Sequence, residues 1–342
     1  MIPRIALADG YDISRLIKGG WHLAGGHGAI DSRTAKRDMA TFVEAGITTF
    51  DCADIYTGVE SLIGEFRSEY PELAHRVRVH TKFVPDLGRL ADVDAAYVEC
   101  VIDRSLARLR MERLDLVQFH WWDFAVPRHV EAALELDRLR RKGKIDRIGV
   151  TNFDVPHLSA IVAAGVPVFT HQLQYSLVDD RPAAGMVDYC LRHGIGLLCY
   201  GTVLGGFLSE RWLGVEEPQG ELANRSLTKY KLIIDDFGGW PLFQDLLGVL
   251  HGIGERHGCD IATVGTAALL AQTGVSAAIV GATNTAHLEA HRKLGGLRLG
   301  RGELDEIVAV TSRRRGPLGD VYELERDRDG RHGRIMKYNL NT

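Results

Sequence analysis

Long apolar runs are missing from this 342-residue chain. No stretch approaches the ~20 residues that span a bilayer. The amino end, MIPRIALADG, lacks the basic segment followed by an apolar one that a secretory leader needs. These absences predict a cytoplasmic protein with no membrane partner. Charge of one sign is missing too: 41 basic and 45 acidic residues are well mixed and leave a net charge of -4, which excludes the basic footprint of nucleic-acid binding. Cysteines are few and odd in number. Cys52, Cys100, Cys190, Cys199 and Cys259 are widely spaced, with no C-x-x-C pair, and read as reduced packing residues with no metal and no redox dithiol. Also absent is G-x-G-x-x-G. Gly25, Gly26 and Gly28 do not fit it, which weakens a doubly wound dinucleotide-binding reading.

What the chain has is a regular alternation of strand and helix signals. With 45% hydrophobic and 25% charged residues it can bury a large core. IALADGYDISRLIKG begins as a hairpin, because Asp9-Gly10 supplies the positive φ values of a tight turn. Eight short apolar or β-branched runs follow: LIKGGW (16–21), TTFDCA (48–53), VRVHTKF (77–83), LDLVQFHW (114–121), DRIGVTNF (146–153), VFTHQLQYS (168–176), IGLLCYGT (195–202) and AAIVGAT (277–283). Helical stretches separate them. RTAKRDMATFVEAG, for example, repeats its apolar positions at three and four and ends on Gly46. Eight such units predict an α/β fold, a (β/α)8 TIM barrel with an N-terminal β-hairpin, in a single domain over 1–342. The hairpin occupies 1–18, a long connection 204–239 with Arg211, Trp212 and Tyr230 follows the seventh strand, and a tail dense in Arg and Asp runs over 317–342. That tail is expected to cover the site, pair with a partner or fray.

Asp51, Tyr56, Lys82 and His120 stand at or just past the carboxyl ends of three neighbouring runs. In a parallel barrel those ends meet on one face. A tyrosine holds its proton at neutral pH, and a nearby ammonium lowers its pKa by favouring the phenolate. Asp51 would keep Lys82 charged and aimed. A neutral His120 would donate a hydrogen bond to a carbonyl oxygen or relay protons. Each residue alone reads more readily as loop, packing or core; their convergence points to protonation of an alkoxide as it forms on a carbonyl.

The sequence resembles the aldo-keto reductases. DCADIYTGVESLIG is similar to their D-x-A-x-x-Y-G-x-x-E-x-x-L-G pattern, with Thr57 as one extra residue, and VHTKF and LVQFHWWD are similar to their lysine and histidine motifs. The resemblance runs from about 12 to 300 and implies a nicotinamide cofactor on a barrel. It assigns Asp51, Tyr56, Lys82 and His120 to the catalytic tetrad, with Tyr56 as the general acid. It places Thr151, Asn152 and Gln172 on the nicotinamide carboxamide and Tyr200 against its ring. Gly20 and Trp21, in GGWHLAGGHG, resemble the first-strand motif of the branch that includes the potassium-channel beta subunits. Gly201, Thr202, Val203 and Leu204 follow the stacking tyrosine, with Thr202 and Val203 where the family has P-L, and Arg211 replaces a lysine on the pyrophosphate. In AIVGATNTAHLEAH the resemblance assigns Gly281, Ala282, Thr283, His287 and His291 to the adenosine end. Here the chain departs from the family, since Ala290 and His291 stand where it has E-N. His287, His291 and Arg292 are the cations available for a 2'-phosphate. NADP(H) is the implied cofactor and NAD(H) the alternative.

Three functions fit these residues. An enzyme reducing an aldehyde or ketone, a small-molecule carbonyl substrate, uses every residue named. A cofactor-holding redox-sensor subunit needs little turnover, and the lack of a polybasic extension before the hairpin counts against a channel partner. A Schiff-base aldolase on Lys82 leaves the carboxamide and ring-stacking residues idle. The oligomeric state is not legible.

Overall fold

The computed structural model describes residues 2–24, 31–281 and 284–336. Strands β1 (Arg4–Ala8) and β2 (Tyr11–Ser14) pair antiparallel, and Gly10 turns between them at φ 71°. The barrel strands are β3 (Leu16–Gly19), β4 (Thr49–Asp51), β5 (Arg78–Phe83), β6 (Leu114–Phe119), β7 (Ile145–Thr151), β8 (Val168–Gln174), β9 (Gly196–Tyr200) and β10 (Val275–Gly281). They pair in parallel in chain order, and β10 closes on β3. The eight runs expected from the sequence are these eight strands, mostly shortened at the carboxyl end. β3 stops two residues before Trp21, which lies in a 3-10 turn, and β7 stops before Asn152, whose φ of 62° turns the chain away.

Helices surround the barrel, and aspartates start several of them. Asp31, Asp94, Asp154 and Asp260 each accept a hydrogen bond from the backbone N–H three residues on, which satisfies a donor the helix leaves open. The hairpin packs against the barrel, where Tyr11 and Ile13 join Ile17, Leu116, Leu198 and Ala277 in one apolar cluster.

One segment differs from its sequence reading, and the tail takes one of the courses expected of it. Residues 204–239 are not one extended loop: Asn224 caps a helix over Arg225–Phe237. That segment buries Leu204, Phe207, Leu208, Leu227, Tyr230 and Phe237 in a second core with the helix Trp240–His257. Over its described residues, to Met336, the tail packs against the rest of the molecule. Charged residues do not prevent its burial, because they are paired: Glu325 is 0% exposed and bonds Arg181 through both carboxylate oxygens (3.0 and 3.1 Å).

Candidate active site

The carboxyl ends of the barrel strands open into a cavity of about 780 Å³. Asp51, Tyr56, Lys82 and His120 all line it. Lys82 reaches Asp51 Oδ1 at 2.9 Å, Asp51 Oδ2 at 2.8 Å and the Cys52 carbonyl at 2.8 Å, so every ammonium hydrogen has an acceptor. Burial works against the Lys82 charge, but Asp51, with Tyr56 and Cys52 adding to it, outweighs burial and the pKa lies above the ordinary lysine value. A lysine held as an ammonium cannot attack a carbonyl, which counts against the aldolase reading.

The Lys82 nitrogen lies 4.9 Å from the centre of the Tyr56 ring, and Trp21 meets that ring edge-on at 5.2 Å. The sequence predicts a Tyr56 pKa lowered by Lys82. The balance is the reverse: burial raises it above 10 and exceeds the lowering that Lys82 contributes.

Two amides complete the shell of Asp51. Gln118 Nε2 donates to Oδ1 at 3.1 Å and Gln172 Nε2 at 2.6 Å. Gln172, expected on the cofactor amide, therefore directs its NH2 to Asp51 instead, although it stays on the cavity wall. Gln118 was not anticipated. Its register opposite Lys82 on the next strand is the signal that finds it, and register is unknown until the barrel closes.

His120 also differs from expectation. Its Nδ1 lies 3.2 Å from the Thr151 carbonyl oxygen, which can only accept, so Nδ1 carries the proton. Burial, with Arg326 adding to it, pushes the pKa down to about 3, so the ring is neutral at ordinary pH. Nε2 is then a bare lone pair. In that tautomer it accepts, which leaves the proton-relay role of the sequence reading rather than the donor role.

The cofactor residues named by resemblance divide into three groups. Trp21, Thr151, Asn152, Gln172, Tyr200, Gly201, Thr202, Val203, Gly281 and His287 line the cavity. The Tyr200 hydroxyl donates to Asn152 Oδ1 at 2.8 Å, which leaves the Asn152 amide hydrogens for other partners. Gly20, Leu204, Arg211 and His291 are not on the wall. Gly20 lies behind it, because a Cβ there would stand 2.6 Å from the Asp51 carbonyl oxygen; its bareness lets the two strand ends approach. Leu204 is buried in the second core, and Arg211 is exposed with its guanidinium over Trp212. His291 is off the wall with its pKa down at about 4 through burial and the neighbouring His287. Arg292 pairs with Glu289 on the surface. Ala282 and Thr283, like Gly25, Gly26 and Gly28, lie outside the described residues.

Residues the sequence reading missed include Arg225, Ser226 and Lys229, all on the cavity wall. They belong to the helix that Asn224 caps, and that cap was the available signal. Tyr322, Ile335 and Met336 reach the cavity from the tail. Tyr322 meets His120 edge-on at 5.7 Å, and Arg326 donates to the carbonyls of Trp121 (3.1 Å) and Asn152 (2.6 Å). The tail thus covers the site.

Part of the cavity wall is bare backbone of the kind that can approach a phosphate. Gly201, Gly205 and Gly206 have φ of 74°, 64° and 105°, and all three lie on the wall, where bare backbone can approach a diphosphate. A Cβ at Gly201 would stand 2.6 Å from the Tyr230 hydroxyl. Thr202 Oγ1 is buried without a partner in the same arm of the cavity.

Comparison with known proteins gives a consistent picture. The aldo/keto reductase family model matches residues 15–311. Aldo-keto reductase YhdN of Bacillus subtilis is 26% identical over 316 residues, covering 89% of this chain and 92% of that protein. Flagellar radial spoke protein 5 of Chlamydomonas reinhardtii is 31% identical over 252 residues, covering 62% of this chain but only 47% of that longer protein. Among solved structures, a glycerol dehydrogenase of Gluconobacter oxydans superposes with a TM-score of 0.76 at 23% identity, over 93% of this chain and 97% of that one, which speaks for the fold.

Proposed function

The chain belongs to the aldo/keto reductase family, and from that premise we propose that it reduces an aldehyde or ketone to an alcohol with a nicotinamide cofactor and with Tyr56 as the general acid. One observation carries this reading: the Asp51–Lys82 pair lies beside the Tyr56 ring on the wall of a cavity with a glycine-lined arm. When bound, the reduced nicotinamide supplies hydride to the carbonyl carbon.

The rest follows from the side chains. Tyr56 gives its phenolic proton to the carbonyl oxygen, and the fixed Lys82 ammonium stabilises the phenolate that remains. Asp51, gripped by Gln118 and Gln172, keeps the ammonium in place. Tyr200 offers a ring face and Asn152 a free NH2 to a flat amide-bearing ring. Arg225 is an exposed cation on the wall suited to a 2'-phosphate, whereas Lys229 is paired with Glu325. The dinucleotide is read as NADPH, because Arg225 is an exposed guanidinium at the cavity edge.

The test is a titration with NADPH and NADH, then turnover of a carbonyl panel followed at the reduced-nicotinamide band. NADPH is expected to give the higher kcat/KM, and Arg225→Ala to raise the KM for NADPH about tenfold while leaving that for NADH nearly unchanged. NADH turnover equal to or above NADPH turnover would overturn the cofactor reading. Tight binding with no turnover on any carbonyl would replace the reductase with a cofactor-holding sensor.

A further inference from the structure

The Lys82 ammonium has three hydrogens, and all are taken: by Asp51 Oδ1 at 2.9 Å, Asp51 Oδ2 at 2.8 Å and the Cys52 carbonyl at 2.8 Å. Its nitrogen lies 4.9 Å from the centre of the Tyr56 ring. When Tyr56 gives up its proton, a phenolate oxygen appears beside an ammonium with no hydrogen to spare. One existing bond has to be handed over.

The two oxygens of Asp51 are not equally able to release Lys82. Among the described residues Oδ2 is bonded to Lys82 alone, whereas Oδ1 also receives Gln118 Nε2 at 3.1 Å and Gln172 Nε2 at 2.6 Å. Three donors exceed the two lone-pair directions of one oxygen. Oδ1 therefore loses little when Lys82 leaves it, and Oδ2 would be stranded.

Of the two amides, Gln118 is the one that no ligand can divert. Gln172 lines the cavity, where a bound molecule can compete for its NH2, but Gln118 is 0% exposed and stands off the wall, opposite Lys82 on the neighbouring strand. Its orientation is chemically forced. Asp51 Oδ1 only accepts, so the end of the amide against it is the NH2, and Gln118 Oε1 is left buried without a partner among the described residues. Packing alone does not require this, since an apolar side chain of the same length fills the space with no unsatisfied acceptor.

We infer that Gln118 is a positioning residue for the acid step: by holding Asp51 Oδ1 it lets Lys82 pass one N–H from that oxygen to the Tyr56 oxygen as the phenolic proton leaves. The inference rests on the reductase reading and adds to it a residue outside the four that the sequence singled out. In the step the Tyr56 O–H bond breaks, its proton goes to the carbonyl oxygen and its electron pair stays on the phenolate oxygen. Lys82 keeps its three hydrogens and changes only an acceptor.

Gln118→Met keeps the length of the side chain and removes the donor. In it kcat for carbonyl reduction is expected to fall about tenfold, while the carbonyl KM and the NADPH dissociation constant stay within about twofold, because residue 118 stands off the cavity wall. A second readout needs no turnover. Carbon-13 NMR of the unliganded chain with labelled tyrosine, the Tyr56 signal assigned by its loss in Tyr56→Phe, follows phenolate formation as pH is raised. The Tyr56 midpoint is expected to lie higher in Gln118→Met by about half a pH unit or more, since the phenolate there gains no freed N–H.

A kcat within about twofold of the unaltered protein, or a lowered kcat with the Tyr56 midpoint unmoved, would overturn the inference and leave the reductase reading intact. No reduction of any carbonyl by the unaltered protein would remove the reductase reading and the acid step with it. Should Gln118→Met fail to fold, Gln118→Asn, one methylene shorter, keeps an amide in the core but draws its NH2 away from Oδ1, and the same two readouts decide.

Discussion

Removing the phenol of Tyr56 takes away the proton-bearing ring that lies beside the Lys82 ammonium. Tyr56→Phe is expected to lower kcat for carbonyl reduction by about two to four orders of magnitude while the NADPH dissociation constant stays within about twofold. Steady-state rates with a parallel fluorescence titration check it; retained activity would take the acid role from Tyr56. The pH dependence follows from the same residues. Reduction needs Tyr56 protonated, and burial holds its pKa above the ordinary tyrosine value, so activity is lost only in the strongly alkaline range. His120 sits at about 3 and stays neutral through the physiological range. A pH–rate profile is therefore expected to be flat from about pH 6 to 9, and a break near the ordinary histidine value would assign a charge change to His120 that its burial forbids. Chemistry-bearing residue types were legible in the sequence at this scale. Their protonation states were not, since each depends on which neighbour outweighs burial.

The tail is the element whose behaviour the charges govern. Glu325 draws Arg181 (3.0 Å) and Lys229 (3.7 Å) into a buried cluster with Asp179. Burial alone would raise the Glu325 pKa, but Arg181 and Lys229 hold it down at about 2. Glu325→Ala leaves those two cations short of a carboxylate and is expected to cost about 3–5 kcal/mol, with faster amide exchange over residues 317–336 as the specific readout. Unchanged exchange there would mean that Arg326, through the Trp121 and Asn152 carbonyls, and His332, through Asp236 at 2.7 Å, hold the tail without it. The eight strands and the hairpin were legible as elements because apolar runs and Asp9-Gly10 are local signals. The helix Arg225–Phe237 was not read from the sequence, as its apolar face packs on a second core that no local pattern announces.

For the molecule as a whole, buried histidines set the acid limit. His80, His120 and His171 are held at about 3, by burial in the first place. Unfolding frees them to bind protons near pH 6.5, so the unfolded state takes up more protons between about 6.5 and 3 and stability falls as pH is lowered through that window. At pH 5 each costs about 2 kcal/mol, and about 6 kcal/mol together approaches the full stability of an ordinary domain. Thermal unfolding followed by circular dichroism is expected to show a Tm drop of about 8 °C between pH 7.5 and pH 5; a Tm constant across that range would contradict the neutral burial of these rings. Among the described residues no helix is long and apolar enough to cross a membrane.

By itself the sequence determined the barrel, its hairpin and the meeting of Asp51, Tyr56, Lys82 and His120 on one face, because strand alternation, turn residues and position along a strand are properties of short segments. Only the tertiary structure decided what those residues do to one another. Register brought Gln118 and Gln172 onto Asp51, the depth of burial reversed the Tyr56 shift, and the Thr151 carbonyl selected which nitrogen of His120 keeps its proton. It also took Arg211 away from the cavity and put Arg225, Lys229 and the charged tail around it. Those outcomes depend on contacts between residues as far as 205 positions apart, such as Arg326 on the Trp121 carbonyl, and separations of that kind leave no trace in a local pattern.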